Sequence, residues 1–432
     1  MLDWKQQWGG QYALLIKGAR RVGKSTLVEQ FAKNEYKSHI LIDFSNARKE
    51  LISLFDDISD LDFFFMRLQQ QTGVKLHERQ SAIVFDEVQE CPRARQAIKH
   101  LVKDGRYDYI ETGSLISIRK NVQGIVIPSE EMQLTLHPLD FEEFLWATGT
   151  EVGLDILRTF YEKHIPLGES HRGTMRDLRL YMLVGGMPQA VNAYLKYNNL
   201  QMVDRVKREI IELYDSDFMK LDPSGRASMM FKNIPAQLSS NASRYMIASA
   251  IDERRSDAID LIVSEMRESM VINLAHHCTD PNVGLGMHKS LDAYKMYMAD
   301  TGLFVTLAFW DKAFTENIIY NQLLSDKLSA NLGYVYENLV AQMLRASGNE
   351  LYYYTFPTEK GNTNYEVDFL LSRGNKIIPI EVKSSGYKTH KSLDAFCDKH
   401  PTRISNRILL YTKDYKKDGA TICLPVYFTG LL

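Results

Sequence analysis

Apolar and polar positions in the first third of this chain alternate in a strand-and-helix rhythm. Tyr12-Ala13-Leu14-Leu15-Ile16 is a continuous apolar run, followed by a glycine-bearing loop and the helical stretch Thr26-Leu27-Val28-Glu29-Gln30-Phe31. His39-Ile40-Leu41-Ile42-Asp43-Phe44 predicts a second strand. Across Asp56–Gln71, residues Ile58, Leu61, Phe65 and Leu68 fall on one side at helical spacing. Ser81-Ala82-Ile83-Val84-Phe85 is nearly all apolar, as a parallel strand buried on both faces should be, and it stops at Asp86-Glu87. A helix over about Arg93–Lys103 leads to Tyr107-Asp108-Tyr109-Ile110 and the polar end Glu111-Thr112-Gly113-Ser114. Strands alternating with helices predict an α/β fold.

The rhythm then changes twice. Residues 134–221 read as mostly helical, with Gly185-Gly186-Met187-Pro188 as an interrupting turn. Residues 222–310 begin with short helices. A helix over Ser256–Ser269 carries Ala258, Ile259, Ile262, Val263 and Met266 on its apolar side. Strands at Met270–Ala275 and Leu291–Met298 flank the loop Asn282–Gly286, and Asp300-Thr301-Gly302-Leu303-Phe304 closes the segment. In residues 311–432 an amphipathic helix opens at Gly333–Val340. It is followed by a strand at Leu351–Phe356, a Gly361-Asn362 turn and a hairpin joining Tyr365–Leu371 to Lys376–Lys383. The expected division is therefore 1–133, 134–221, 222–310 and 311–432, since 432 residues exceed one compact core.

Composition narrows the setting. Lys plus Arg number 52 against 54 Asp plus Glu, so bulk charge argues neither for nor against nucleic acid. Four scattered cysteines without a C-x-x-C pair fit a reducing compartment and exclude a cysteine-rich zinc site. No signal-peptide pattern opens the chain, and no apolar run approaches about 20 residues, so a cytoplasmic protein without a membrane partner is expected.

The first chemical signal is Gly18-Ala19-Arg20-Arg21-Val22-Gly23-Lys24-Ser25-Thr26, a G-x-x-x-x-G-K-S loop between a strand and a helix. Gly18 and Gly23 let backbone N–H groups close around phosphates, and the helix start adds partial positive charge. Lys24 should reach the β- and γ-phosphates of ATP, with Ser25 completing a Mg²⁺ shell; Thr26 opens the helix. Asp86, at the end of an apolar strand, is placed to hold Mg²⁺, and Glu87 to activate water. Thr112 or Ser114, and also Gln89, could contact the γ-phosphate or that water.

The second signal lies near the end. In a strand, residues i and i+2 share a face, so Glu381 and Lys383 point the same way. Asp368 on the adjacent hairpin strand can meet Glu381 at one divalent ion, and Lys383 can orient water. This Asp368, Glu381, Lys383 pattern resembles the PD-(D/E)XK nuclease core, and Glu337 matches an acid that some branches add from the first helix. Such a fold can also serve for docking without cleavage. Arg373, Lys376, Lys383, Lys388 and Lys391, with Tyr352, Tyr353, Tyr354 and Tyr387 nearby, could support phosphate contacts and base stacking, although aromatics at strand spacing are more often core than platform.

The order G-x-x-x-x-G-K-S, apolar strand with Asp86-Glu87-Val88-Gln89, Glu111-Thr112-Gly113-Ser114 and His137-Pro138-Leu139-Asp140-Phe141-Glu142-Glu143-Phe144-Leu145 resembles a prokaryotic family of AAA-type ATPases, as does Tyr181–Pro188. The resemblance runs through essentially the whole chain. It implies a P-loop core, a helical lid that closes over nucleotide, a winged-helix-like middle and a restriction-endonuclease-like α/β end. Arg176, Arg179, Arg205 and Arg208 are candidates for a γ-phosphate sensor or finger. Acids at 252, 253, 257, 260, 265 and 268 dilute the middle segment's basic residues, leaving protein contact as open as DNA reading. The expected function is an ATPase coupled to a metal-dependent nuclease-like domain acting on DNA, with homo-oligomer formation possible. A nucleotide-gated switch that binds protein or nucleic acid without cutting and a DNA-translocating motor are the alternatives.

Overall fold

A computed structural model describes residues 1–113, 129–150, 153–240, 242–325, 332–359, 361, 363–385 and 389–432. Ser114, Asn362, Tyr387 and Lys388 lie outside that set. The chain divides into two units, Met1–His137 and Pro138–Leu432. No helix among the described residues is long and apolar enough to cross a membrane.

In the first unit, β1 (Ala13–Gly18), β2 (Ser38–Asp43), β3 (Ser81–Asp86), β4 (Asp108–Gly113) and β5 (Glu131–Leu136) form one sheet in the order β2-β3-β4-β1-β5. Every pairing in it is parallel. β3 is buried at all six positions, which explains its unbroken apolar run. On one face Phe44, Phe55, Phe64, Phe65 and Phe85 pack with Ile98, Leu101 and Tyr109; on the other Leu14, Ile16, Val28 and Val84 meet Trp4. The β4-β1 adjacency puts the C-terminal end of β1 beside those of β4 and β3, where a parallel sheet offers its ligand crevice.

β5 corrects the expected boundary at 133, which falls inside this strand. Its positions are half-buried apart from one exposed, because an edge strand presents one side to solvent and so lacks the apolar run that marks a central strand.

The second unit begins at a helix, Phe141–Ala147, with a capping box. Asp140 accepts the Glu143 N–H at 2.8 Å, and the Glu143 carboxylate accepts the Asp140 N–H at 2.9 Å. The Gly185-Gly186-Met187-Pro188 turn separates helices Ser170–Val184 and Pro188–Tyr197. Buried Asp300 accepts the Gly186 N–H at 2.6 Å and caps the next helix through Leu303 N–H at 2.8 Å. Lys207, fully buried, donates to the carbonyls of Leu183 at 2.6 Å and Gly302 at 3.0 Å and to the Tyr320 hydroxyl at 2.6 Å. Burial pushes its ammonium down to about 8 against the pull of Asp204 and Asp300.

Gly186 has no room for a side chain, since a Cβ there would stand 2.0 Å from the Leu139 carbonyl oxygen and 2.8 Å from its nitrogen. Gly186→Ala is expected to lower stability by about 1–3 kcal/mol. A shifted denaturant midpoint with an unchanged slope would register it, and an unchanged midpoint would refute it.

Among the described residues this unit also holds eight strands: β6 (Ile272–Cys278), β7 (Lys289–Met298), β8 (Leu351–Pro357), β9 (Asn364–Arg373), β10 (Lys376–Val382), β11 (Arg407–Tyr411), β12 (Lys416–Asp418) and β13 (Thr421–Pro425). Their order is β12-β13-β11-β10-β9-β8-β6-β7. The hairpin expected between Tyr365 and Lys383 is β9-β10, antiparallel, with β11 then parallel to β10. The strand pair expected inside a winged-helix-like segment is β6-β7. It lies in this same sheet, because β6 pairs in parallel with β8 through Ala275 and Leu351. The helix Gly333–Ala346 packs on the sheet and buries Val335, Leu339, Val340 and Met343.

Two candidate functional sites

In the first unit the P-loop is the turn between β1 and the helix Lys24–Glu35. Gly23 takes φ 97°, in the left-handed region glycine enters without strain. Gly18 sits against β5, where a Cβ would stand 2.4 Å from the Leu136 carbonyl oxygen. No side chain caps the first turn of the following helix, which leaves its N–H groups for an anion. Lys24 is buried and its ammonium donates to the Gly18 and Ala19 carbonyls at 3.1 and 3.0 Å. Burial lowers its pKa, while the charges of Glu87 and Asp86 work the other way.

Asp86 Oδ1 accepts the Ser25 hydroxyl at 2.8 Å and the Thr112 hydroxyl as well. The P-loop serine and the strand-end acid therefore stand together, the arrangement a Mg²⁺–nucleotide needs. Thr112 also accepts the Glu87 N–H at 3.2 Å. Its hydroxyl thus orients Asp86 and the Glu87 backbone. Glu87 adopts φ 52°, uncommon for a residue with a side chain, and its carboxylate accepts the Gln89 amide. Thr26 is exposed at the first turn of the helix.

Sequence reasoning missed a buried ionic cluster in this unit. Arg95 pairs with Glu131 at 3.1 Å, and Glu111, fully buried on β4, has its carboxyl held well above the usual range by burial and then by Glu131. The charges lie within buried parts of the fold, where pattern alone reads only packing.

In the second unit β9, β10 and the helix Gly333–Ala346 bring Asp368, Glu381, Lys383 and Glu337 together. The last registered β9-β10 pair is Phe369 with Ile380, one step before Asp368 and Glu381. Asp368 Oδ2 accepts the Val382 N–H at 2.7 Å. Lys383 stays in strand register through its N–H to Leu410 at 2.8 Å, and its ammonium lies 2.6 Å from Glu381 Oε1. Glu381 is 5% exposed and its Oε2 is buried without a hydrogen-bond partner. Burial raises the Asp368 carboxyl well above its ordinary value, with the charges of Glu337, Glu366 and Glu381 adding to the shift. Glu381 overcomes the effect of burial on Lys383 and holds that ammonium protonated.

Three further residues enter this site. Glu366, two residues before Asp368 on β9, has a carboxylate oxygen within 4.8 Å of those offered by Asp368 and Glu337. Lys295 from β7 lies 2.9 Å from Glu337 Oε1 and 2.5 Å from Glu366 Oε1. Tyr297 donates to the same Glu337 oxygen at 2.5 Å. The i, i+2 rule that paired Glu381 with Lys383 would have paired Glu366 with Asp368 and Lys295 with Tyr297. A lysine within the buried run Tyr294–Met298 was the available signal.

Other candidates are placed differently. Tyr353 and Tyr354 are 1% and 8% exposed; Tyr354 packs on His277, Phe356 and Phe396, so these rings are core and not a base-stacking platform. Arg373 donates to Asn349 and to the Leu432 carbonyl. Arg208 donates to the carbonyls of Trp310 and Lys312, both at 2.8 Å, and pairs with Asp204, which commits it to holding that loop. Arg179 is buried, whereas Arg176 and Arg205 have exposed side chains.

Comparison with known proteins agrees with the first unit's geometry. Residues 10–145 match the family model of the AAA domain. Residues 175–313 and 332–428 match two domains of unknown function, DUF8612 and DUF4143. No curated protein matches the chain. Among solved structures it is similar to C. elegans PCH-2 (13% identity, 47% of this chain and 62% of that one, TM-score 0.26). It is also similar to a STAND signal-transduction ATPase with a tetratricopeptide repeat sensor from Pyrococcus horikoshii (13% identity, 78% and 43%, TM-score 0.27). A third is Cdc6p from Pyrobaculum aerophilum (11% identity, 76% and 91%, TM-score 0.22). The chain thus spans less than two thirds of the first two proteins, and scores this low add no argument of their own. The parallel sheet, the P-loop and the family match together make residues 10–145 an AAA-type P-loop ATPase domain.

Proposed function

We propose that the chain hydrolyses ATP and carries, in its second unit, a divalent-metal site that cleaves DNA backbone phosphodiesters. The observation that carries the second half is the convergence of Asp368, Glu381, Lys383 and Glu337 at one end of the β9-β10 hairpin. The donors fit a hard cation: they are carboxylate oxygens, and Glu381 Oε2 is buried without a partner. Asp368 and Glu381 would hold the ion, which when bound polarises the scissile phosphate. Lys383, fixed by Glu381, is placed to orient water and to offset negative charge on the phosphate.

In the first unit the loop N–H groups and Lys24 would bind the phosphates of ATP, Ser25 and Asp86 would hold Mg²⁺, and Glu87 is placed to take a proton from water. The nucleotide cycle would license or position the DNA-acting site, in a cytoplasmic protein that works as a monomer or homo-oligomer. The segments 1–133, 134–221, 222–310 and 311–432 remain the working division, with two changes: β5 belongs to the first unit and β6-β7 to the C-terminal sheet.

Supercoiled plasmid incubated with Mg²⁺ or Mn²⁺, with and without ATP, tests this reading. The wild-type chain should nick it, Lys383→Ala should not, and Lys24→Ala should retain metal-dependent nicking while losing any stimulation by ATP. A wild-type chain that turns over ATP but leaves single- and double-stranded DNA intact would remove the nuclease half and leave the nucleotide-gated switch.

A further inference from the structure

The acidic cluster of the second unit raises the question of how many ions it takes, and the answer rests on the metal-site reading above. Glu337, Glu366 and Asp368 offer oxygens within 4.8 Å of one another, a spacing that suits a divalent ion. That side of the cluster is already served by a cation from the chain itself. Lys295 is 5% exposed, and its ammonium bridges Glu337 Oε1 at 2.9 Å and Glu366 Oε1 at 2.5 Å. Tyr297, on the same face of β7, donates to that Glu337 oxygen at 2.5 Å. A buried ammonium is costly unless paired this closely, so its position is well determined.

The other side is arranged differently. Asp368 uses Oδ2 on the Val382 N–H, and Glu381 uses Oε1 on Lys383, while Glu381 Oε2 is buried with no partner. Charge matches this asymmetry. With its acids ionised, as binding a cation requires, the cluster sets four carboxylates (Glu337, Glu366, Asp368 and Glu381) against two ammonium groups (Lys295 and Lys383), and the two negative charges left match one divalent ion.

We propose that Lys295 fills the second-cation position of this cluster. The site then takes a single divalent ion, between Asp368 and Glu381, and the Glu337–Glu366 pair accepts an ion only when the Lys295 ammonium is removed. Lys295 is a positioning residue: its single ammonium bridges and holds two acids that would otherwise compete for metal.

Ion counting tests this directly. Full-length chain carrying Asp86→Asn, which disables the ATPase metal position, is stripped with chelator and titrated with Mn²⁺. Bound ions per chain are read by calorimetry and by electron paramagnetic resonance. One ion in this parent and two after adding Lys295→Met, with one ion retained in Lys295→Arg, is the expected result. One ion in both the parent and Lys295→Met overturns the role of Lys295 while keeping the metal site, as does a parent that binds two. No ion in any variant overturns the metal-site reading and this inference together. If Lys295→Met does not fold, the parent count decides: one supports the proposal and two overturns it.

Discussion

Glu381→Gln is expected to slow metal-dependent DNA nicking by about 10³-fold, a loss of roughly 4 kcal/mol of transition-state stabilisation. The substitution keeps the size of the side chain but removes the charge that faces both the proposed ion and Lys383, 2.6 Å away. The half-buried Lys383 then loses its counter-charge, so the metal ligand and the water-orienting ammonium are compromised by one change. Initial nicking rates across a Mn²⁺ series would separate the two contributions. A rate restored by excess Mn²⁺ means weakened ion binding, and a rate that stays low means the chemistry itself needs the carboxylate. Wild-type rates at every concentration would remove Glu381 from the site.

Glu87→Gln is expected to reduce ATP turnover by about 10²- to 10⁴-fold with affinity for ATP retained. Glutamine can hold the same left-handed backbone at φ 52° and can still meet the Gln89 amide, so the geometry survives and only proton acceptance is lost. Phosphate release reads the first quantity and nucleotide titration the second. Unchanged turnover would take Glu87 out of the base role and direct attention to Gln89, which is buried beside it.

These two predictions rest on motifs of unequal legibility. The P-loop and the Asp86-Glu87 strand end were plain in the sequence because each combines an apolar run with a fixed spacing of polar groups. The hairpin bearing Asp368, Glu381 and Lys383 was legible for the same reason. β5 was not, because an edge strand lacks the continuous apolar run of a central one. Lys295 was hidden by distance along the chain: it lies on β7, while its partners Glu337 and Glu366 follow 42 and 71 residues later. No local rule links such positions. The tyrosines at 353 and 354 were ambiguous in the sequence, since their spacing fits both a stacking surface and the more common core, and their burial decides for the core.

The parallel pairing of β6 with β8 bears on how this molecule is made and dissected. A gene fragment beginning after residue 310 would encode the Asp368 and Glu381 strands yet lack their neighbours β6 and β7, exposing the long edge of β8 and forfeiting Lys295 and Tyr297. During synthesis β6 can pair with β7 soon after both emerge, but its other edge stays open to wrong partners until β8 arrives. Fragments intended for crystals or assays should therefore carry Ile272–Met298 together with everything from Gly333 onward.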